Sequence, residues 1–202
     1  MKRLFVTGIG TDVGKTLISA IIVEKLQADY WKPIQAGDLD STDSMKISRW
    51  VENSTSAIHK ETYRLTSPVS PHAAAERDHL NIDLNNIIIP ETQGDLVIEG
   101  AGGLMVPLNK YDLVIDLIPH LDATAVLVSR NYLGSINHTI LSIEALRSRN
   151  INIAGIVFNG QQNKDTESII ESICDVPVLG RIPQIDDIDS FNIKSLLSQI
   201  NI

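Results

Sequence analysis

The stretch from Gly8 to Thr16 reads GIGTDVGKT and carries groups suited to binding a phosphate. A glycine-rich turn before a helix points backbone N–H groups at an anion, Lys15 adds a positive charge, and the hydroxyl of Thr16 suits Mg²⁺. A standard phosphate-binding loop has about four residues between its glycines, whereas Gly8 and Gly14 enclose five. Apolar runs on both sides predict a strand, then the turn, then a helix starting near Gly14. We predict a nucleotide site; the alternative is a glycine-lined turn with a surface lysine.

Two carboxylates are candidates for holding a metal beside that loop. Residues 95–99 read DLVIE, and the small residues that follow, as far as Gly103, let a ligand approach the backbone. Enzymes with a phosphate-binding loop usually hold the metal with carboxylates at the ends of other strands. Glu99 is therefore a candidate metal ligand. A solvated glutamate before a flexible loop is the alternative. Asp43 is a second candidate, although Asp40 competes with it and an N-cap would also explain an aspartate there.

Lys32 follows a short β-branched and aromatic run and precedes Pro33. The carboxyl ends of parallel strands meet at one edge of a sheet, so Lys32 would reach the same cleft as Lys15. Two ammonium groups at one place can neutralise two anions. A solvated lysine at the sheet edge is the competing interpretation.

Two further positions have polar groups that a ligand could use. Asn159 ends a predicted strand, and its amide can both donate to and accept from a purine edge; an asparagine in a turn would look the same. Ser135 and Asn137 follow Gly134 at the start of a predicted helix over 135–149. That helix N-terminus could receive a carboxylate, and simple N-capping is the alternative.

Short β-branched runs alternate with segments of helical apolar spacing along the chain. The runs that predict strands are 3–7, 30–32, 95–99, 124–129, 153–159 and 177–182. Additional helices are predicted over 43–51 and 191–200, and residues 38–80 are the least regular part. This alternation predicts an α/β fold, a parallel β-sheet flanked by helices on both faces. The glycine-rich loop after the first strand makes the predicted fold class the P-loop NTPase type.

Composition limits the classes of function. The chain has 202 residues, 43% of them hydrophobic, which predicts a single globular domain over 1–202. A formal net charge of −8 without a basic run disfavours nucleic acid or a membrane surface as partner. The single Cys174 and the lack of a long apolar segment favour a cytoplasmic protein. The sequence contains no cluster of Cys and His that would predict a zinc site. It also lacks the nucleophile elbow that would predict hydrolysis by a catalytic triad.

Taken in order, these motifs resemble the dethiobiotin synthetase family of biotin synthesis. The matching segments run along nearly the whole chain: the loop from Gly8 to Thr16, with five residues between its glycines as in the family; Lys32-Pro33-Ile34-Gln35; Asp43; Ser70-Pro71-His72; Glu99 to Gly103 with Pro107 following; Leu133 to His138; and Asn159.

The resemblance implies an ATP- and Mg²⁺-dependent cyclo-ligase. Family members convert 7,8-diaminononanoate and CO₂ into a carbamate, phosphorylate it with ATP, and close the ureido ring when the second amine displaces phosphate. No protein nucleophile is needed, because positioning and charge neutralisation supply the catalysis. The resemblance also implies a homodimer in which one subunit binds the substrate's distant carboxylate for its partner.

The resemblance assigns roles to residues of this chain. Lys15 and Lys32 are the expected catalytic cations. The expected ligands of the nucleotide are Gly10, Thr11, Asp12, Val13, Gly14, Lys15, Thr16, Glu99, Gly102, Asn159, Ile182 and Pro183. Thr16, Asp43 and Glu99 are expected to hold the metal. The expected substrate contacts are Lys32, Gln35, Pro71, Gly134, Ser135 and Asn137.

One position departs from the family, and two other functions remain as alternatives. Relatives often carry Ser or Thr where this chain has Ala36, so a hydroxyl near the carbamate is missing; Gln35 or Ser41 could replace it. A partition or positioning ATPase of the same superfamily is the first alternative, although such proteins usually carry a further lysine early in the loop, where Ile9, Gly10 and Thr11 stand here. An amidotransferase would need a glutaminase domain, for which 202 residues leave no room.

Overall fold

A central parallel sheet forms the middle layer of the protein. The computed structural model describes residues 1–185 and 187–202. Within them, seven strands form the sheet in the order β4-β2-β6-β1-β7-β8-β9, and β3 pairs with β5 in a separate small sheet. The strands are β1 (Arg3–Gly8), β2 (Asp29–Trp31), β3 (Ile34–Ala36), β4 (Ile58–His59), β5 (Tyr63–Leu65), β6 (Leu96–Gly103), β7 (Thr124–Arg130), β8 (Ile153–Asn159) and β9 (Val178–Ile182).

Helices cover the sheet and connect its strands. They are α1 (Lys15–Leu26), α2 (Asp43–Trp50), α3 (Pro71–Arg77), α4 (Leu117–His120), α5 (Ser135–Ser148), α6 (Lys164–Cys174) and α7 (Ser190–Ser195), with 3₁₀ turns at Leu84–Asn86, Val114–Asp116 and Leu197–Gln199. In the part of the chain that is described, no helix is both long enough and apolar enough to cross a bilayer.

The sheet is buried on both faces because its strands are apolar at successive positions. Leu4 and Val6 of β1 pack into one core cluster with α1, whereas Phe5 between them packs into a cluster on the other face. Side chains alternate across a strand, so an unbroken apolar run requires cover on both sides. Helix α1 is correspondingly buried all around: Ile18, Ile21 and their neighbours contact β1, β6, α2 and α7.

The predicted fold class is confirmed. The first and last residues of each predicted strand lie within about two residues of the observed ones, except at the end of β6. β6 continues past Glu99 to Gly103, so Glu99 is inside the strand and not at its end. Three elements in the irregular stretch 38–80 were not predicted: β4 and β5, each two or three residues long, and the seven-residue helix α3. The predicted helix over 191–200 is a short α7 followed by a 3₁₀ turn.

Candidate active site

The glycine-rich loop connects β1 to α1 and presents Lys15 at its end. Gly14 has φ +98°, and a Cβ there would lie 2.1 Å from Asn159 Nδ2, so the position requires glycine on two grounds. The Lys15 ammonium donates to the carbonyl of Gly10 at 2.9 Å. Burial is the main cause that lowers the pKa of Lys15. The loop therefore folds around its own lysine, between the strand and the helix that the sequence predicted.

Glu99, Lys32 and Thr16 meet where β6 and β2 pass the start of α1. Oε1 of Glu99 accepts from the Thr16 hydroxyl at 2.9 Å and from the Lys32 ammonium at 3.3 Å. Glu99 is 1% exposed and Lys32 is 6% exposed, so neither is a solvated surface charge. Burial acts to lower the pKa of Lys32, but the carboxylates of Glu99 and Asp43 raise it above its ordinary value. Lys32 is held as a cation.

Asp43 completes this group from the first turn of α2. Its Oδ2 pairs with the Lys32 ammonium. Thr42 is the N-cap of α2, since its side chain accepts from Met45 N, so Asp43 is not consumed as a cap. Although burial opposes ionisation, the charge of Lys32 outweighs it, and the pKa of Asp43 falls from 3.8 to about 2. Asp40 lines a different hollow, so the structure favours Asp43 of the two candidate aspartates.

Gln35 and the small sheet hold Asp43 in place. The side-chain oxygen of Gln35 accepts from Asp43 N at 3.3 Å, and its amide nitrogen donates to Gly37 O at 2.9 Å. Gln35 is 4% exposed and lines the same cavity as Asp43. It therefore fixes the start of α2 and leaves little of its own amide for a ligand.

A cavity of about 690 Å³ joins these groups. Both lysines predicted to converge line it, together with the predicted metal ligands and Pro71 of α3. The lining includes Thr11, Asp12, Gly14, Lys15, Thr16, Lys32, Gln35, Ala36, Asp43, Lys46, Pro71, Glu99 and Gly102. The cavity therefore combines three ammonium groups with carboxylates, which suits anionic ligands accompanied by a cation.

Two contributors were missed from the sequence. Tyr30 donates to Oε2 of Glu99 at 2.9 Å, and its complete burial raises its pKa well above the ordinary value. Lys46 pairs with Oδ1 of Asp43 at 2.9 Å. The available signals were spacings: Tyr30 is two residues before Lys32 on one strand face, and Lys46 is three residues after Asp43 on one helix face.

The residues predicted to contact the nucleotide base lie together but do not line the cavity. Asn159, which is 9% exposed, donates from Nδ2 to Val13 O at 2.8 Å. The carbonyl of Ile182 accepts from Gly160 N at 2.9 Å, and Pro183 follows it at the exposed end of β9. Asn159 thus ties the end of β8 to the glycine-rich loop instead of standing in a free turn.

The start of α5 is also separate from the cavity. Gly134 is its N-cap, with φ +102° and no side-chain cap, so simple capping by Ser135 is wrong. Ser135 is 1% exposed, and its hydroxyl has no hydrogen-bond partner among residues 1–185 and 187–202. Asn137 is exposed. Within one subunit these residues do not meet Lys15 and Lys32.

The donor set suits a hard divalent cation. In the described ranges, no group of three or more His, Cys, Asp or Glu is arranged to hold a metal. Thr16, Asp43 and Glu99 instead offer one hydroxyl and two carboxylates, the oxygen ligands that Mg²⁺ accepts when substrate phosphates and water supply the others. The Lys32 ammonium already lies between the two carboxylates, which shows that this point attracts a cation.

Sequence comparison finds relatives of one kind over most of the chain. A family described as an AAA domain matches residues 2–191. An "ATP-dependent dethiobiotin synthetase BioD" of Christiangramia forsetii is 54% identical over 96% of this chain and 93% of its own length. One of the same name from Cytophaga hutchinsonii is 55% identical over 84% of this chain and 82% of its own length.

Two solved structures with the same architecture are ATPases. A ParA family ATPase from Chlorobium tepidum superimposes with a TM-score of 0.62 at 15% identity, covering 98% of each chain. The cell division ATPase MinD of Pyrococcus furiosus gives a TM-score of 0.55 at 13% identity, again over 98% of each chain. At these identities the likeness concerns the fold alone, which is that of P-loop ATPases.

Proposed function

Because this chain belongs to the ATP-dependent dethiobiotin synthetase family, we propose that it closes the ureido ring of dethiobiotin from 7,8-diaminononanoate and CO₂. Membership makes it an ATP-dependent ligase of biotin biosynthesis. The observation that carries the finer proposal is the convergence of Lys15 and Lys32 on one cavity with Asp43 and Glu99. A reaction between two anions needs such a concentration of positive charge.

In the proposed reaction one amine of the diamine takes up CO₂ as a carbamate, releasing a proton. A carbamate oxygen then attacks the γ-phosphorus of ATP, and ADP leaves. The second amine attacks the carbamoyl carbon and loses a proton, phosphate leaves, and the ring closes. Lys15 neutralises the γ-phosphate from the loop side, while Lys32 binds the carbamate oxygen from the β2 side. No covalent bond to the protein forms at any step.

The proposed metal ligands are Thr16, Asp43 and Glu99. Bound Mg²⁺ would supply charge neutralisation for the phosphate oxygens. The loop from Gly10 to Thr16 binds the phosphates through its N–H groups, and Gly102 lets β6 approach them. Asn159 contacts adenine, aided by Ile182 and Pro183: its nitrogen donates to Val13 O, and its oxygen is the group suited to accept from the exocyclic amine.

We further propose a cytoplasmic homodimer, in which Gly134, Ser135 and Asn137 of one subunit bind the distant carboxylate of a diamine held by the other. Exposed apolar side chains support an interface along the first half of α5: Leu133, which precedes the helix, is fully exposed, Ile136 is 38% exposed and Leu141 is 58% exposed. The α5 N-terminus offers a positive dipole end to an anion. Pro71 and Gln35 shape the cavity on the diamine side.

The test is coupled detection of phosphate and dethiobiotin. The protein is incubated with ATP, Mg²⁺ and bicarbonate, with and without the diamine, and the product is identified by mass. We expect phosphate and product to rise together only with the diamine. Lys32→Ala should abolish both, whereas Lys164→Ala, an exposed lysine on α6, should not. Steady phosphate release that ignores the diamine would contradict the proposal and favour a switch ATPase.

A further inference from the structure

Lys46 lies on the boundary between two hollows. It lines the 690 Å³ cavity and also an adjoining hollow of about 520 Å³ formed with Asp38, Asp40 and Thr66. It stands one turn after Asp43 on α2, with its ammonium 2.9 Å from Oδ1 of that carboxylate. Its side chain is 33% exposed. No role in the reaction proposed above has been given to it.

The three ammonium groups of the cavity differ in their freedom to move. Lys15 is 7% exposed and held by the carbonyl of Gly10. Lys32 is 6% exposed and lies between two carboxylates. Lys46 is more exposed than either, and within residues 1–185 and 187–202 its ion pair is with Asp43. A partly solvated pair of this kind is weak, and the lysine stem is flexible. Lys46 is therefore the cation that moves at the smallest cost.

Asp43 is shared between two cations before any metal arrives. Its Oδ2 contacts the Lys32 ammonium and its Oδ1 contacts the Lys46 ammonium. A divalent cation that binds Asp43 must displace one of them or remain beside both charges. Releasing the partly solvated Lys46 costs less than releasing the buried Lys32, because Lys46 regains water as it leaves.

We propose that Lys46 is an exchangeable cation of the active site: it neutralises Asp43 in the free protein and binds an anionic group of the substrates once a divalent cation takes Oδ1. The anion is the carbamate or the γ-phosphate. This inference rests on the proposed function, since it requires a metal and an anion in the same cavity. It assigns to Lys46 a substrate contact that depends on the metal.

The exchange predicts that removing the charge of Lys46 changes the affinity for the metal and the affinity for the anion in opposite directions. Removing the Lys46 charge eliminates a competitor for Asp43, so the divalent cation should bind more tightly. The same change eliminates an anion contact, so a substrate should bind more weakly. A merely structural role of Lys46 would disturb α2 and weaken both.

The experiment uses Lys46→Met, which keeps the length of the side chain, Lys46→Arg, which keeps the charge, and Arg49→Met as matched control. Arg49 is exposed on the same helix and contacts Ser41. Mn²⁺ binding to the ADP complex is measured by electron paramagnetic resonance, so that no γ-phosphate or diamine is present. KM values for ATP and for the diamine are measured separately at saturating bicarbonate.

For Lys46→Met we expect roughly threefold tighter Mn²⁺ binding, because a partly screened ion pair that competes for Asp43 is lost. We also expect one KM to increase about tenfold, because a hydrogen bond from a charged group to the substrate is lost. An increase for the diamine identifies the carbamate, and an increase for ATP identifies the γ-phosphate. Lys46→Arg should restore both values, and Arg49→Met should stay within about twofold of wild type on both readouts.

Weaker Mn²⁺ binding by Lys46→Met, or unchanged KM values for both substrates, would overturn the inference. Failure of the proposed function is distinct: the wild-type protein would then make no dethiobiotin. In that case Mn²⁺ binding and the affinity for a non-hydrolysable ATP analogue still decide whether Lys46 exchanges between Asp43 and an anion.

Discussion

The phenolic hydroxyl of Tyr30 donates a 2.9 Å hydrogen bond to Oε2 of Glu99, and both side chains are buried. The other oxygen, Oε1, receives the bonds from Thr16 and Lys32. Tyr30 thus determines which oxygen of the carboxylate faces the cavity. It is a positioning residue, because it reaches the site only through Glu99.

Tyr30→Phe should raise the Mg²⁺ concentration needed for half-maximal activity by about threefold to tenfold, the usual range for losing one hydrogen bond to a charged group. The rate at saturating Mg²⁺ should change less, because the phenyl ring still fills the core. Initial rates over a Mg²⁺ series measure both. Tyr63→Phe removes a hydroxyl that donates to Asp83 O at 3.3 Å and should leave the Mg²⁺ requirement unchanged. Equal effects of the two variants would contradict this role.

Gly14→Ala should destabilise the protein even without nucleotide. The new Cβ would lie 2.1 Å from Asn159 Nδ2 at φ +98°, and strain of about 2 kcal/mol corresponds to a melting temperature lower by roughly 4–8 °C. Gly10→Ala is the matched control, because nothing lies within 4 Å of its Cβ position. Calorimetry of the ligand-free variants checks the difference. A tolerated Gly14→Ala would show that the contact with Asn159 yields easily.

Asp43 should contribute to the loss of folding stability at acidic pH. Its pKa falls from 3.8 to about 2 in the folded protein, so its contribution of about 2 kcal/mol is present above the unfolded pKa and is lost as pH falls through the folded pKa. Urea unfolding of wild type and Asp43→Asn at pH 5 and pH 2.5 measures this contribution. The wild type should lose more free energy of unfolding between these pH values than the variant. Parallel losses would place the acid-sensitive group elsewhere.

Leu133→Asp should separate the proposed dimer. Leu133 is fully exposed beside the start of α5, and a carboxylate there would be costly in an apolar contact. Mass from light scattering should fall from dimer to monomer, and the KM for the diamine should rise. Phe191→Asp, a change at a 78% exposed side chain on α7, should alter neither. A wild-type protein that is already monomeric at micromolar concentration would exclude the interface.

The sequence predicted the fold class because the strands are unbroken apolar runs and each is followed by polar or glycine residues. It also predicted that Lys32 and Glu99 would lie near Lys15, since the carboxyl ends of parallel strands lie at one edge of the sheet. Both are found at the cavity. The choice between Asp40 and Asp43 was open from spacing alone. It depended on Thr42 capping α2 and on Lys32 pairing with Asp43.

Other features depend on contacts between distant segments. Tyr30 looks like a core aromatic in a short strand, and only the pairing of β2 with β6 brings its hydroxyl to Glu99. The sheet of β3 and β5 has strands of three residues, too short for an apolar pattern to be distinctive. Asn159 was expected at a ligand, yet its amide also binds Val13, which lies 146 residues earlier in the chain.

That bond between Asn159 and Val13 has a consequence for synthesis on the ribosome. The glycine-rich loop is translated before β8, yet the carbonyl of Val13 receives its hydrogen bond from Asn159 at the end of β8, 146 residues later in the chain. Because ordering such a distant contact requires closing the intervening chain, a nascent fragment lacking β8 has an unfinished loop. We therefore expect ATP to stabilise a nascent chain less before β8 has been synthesised than after it.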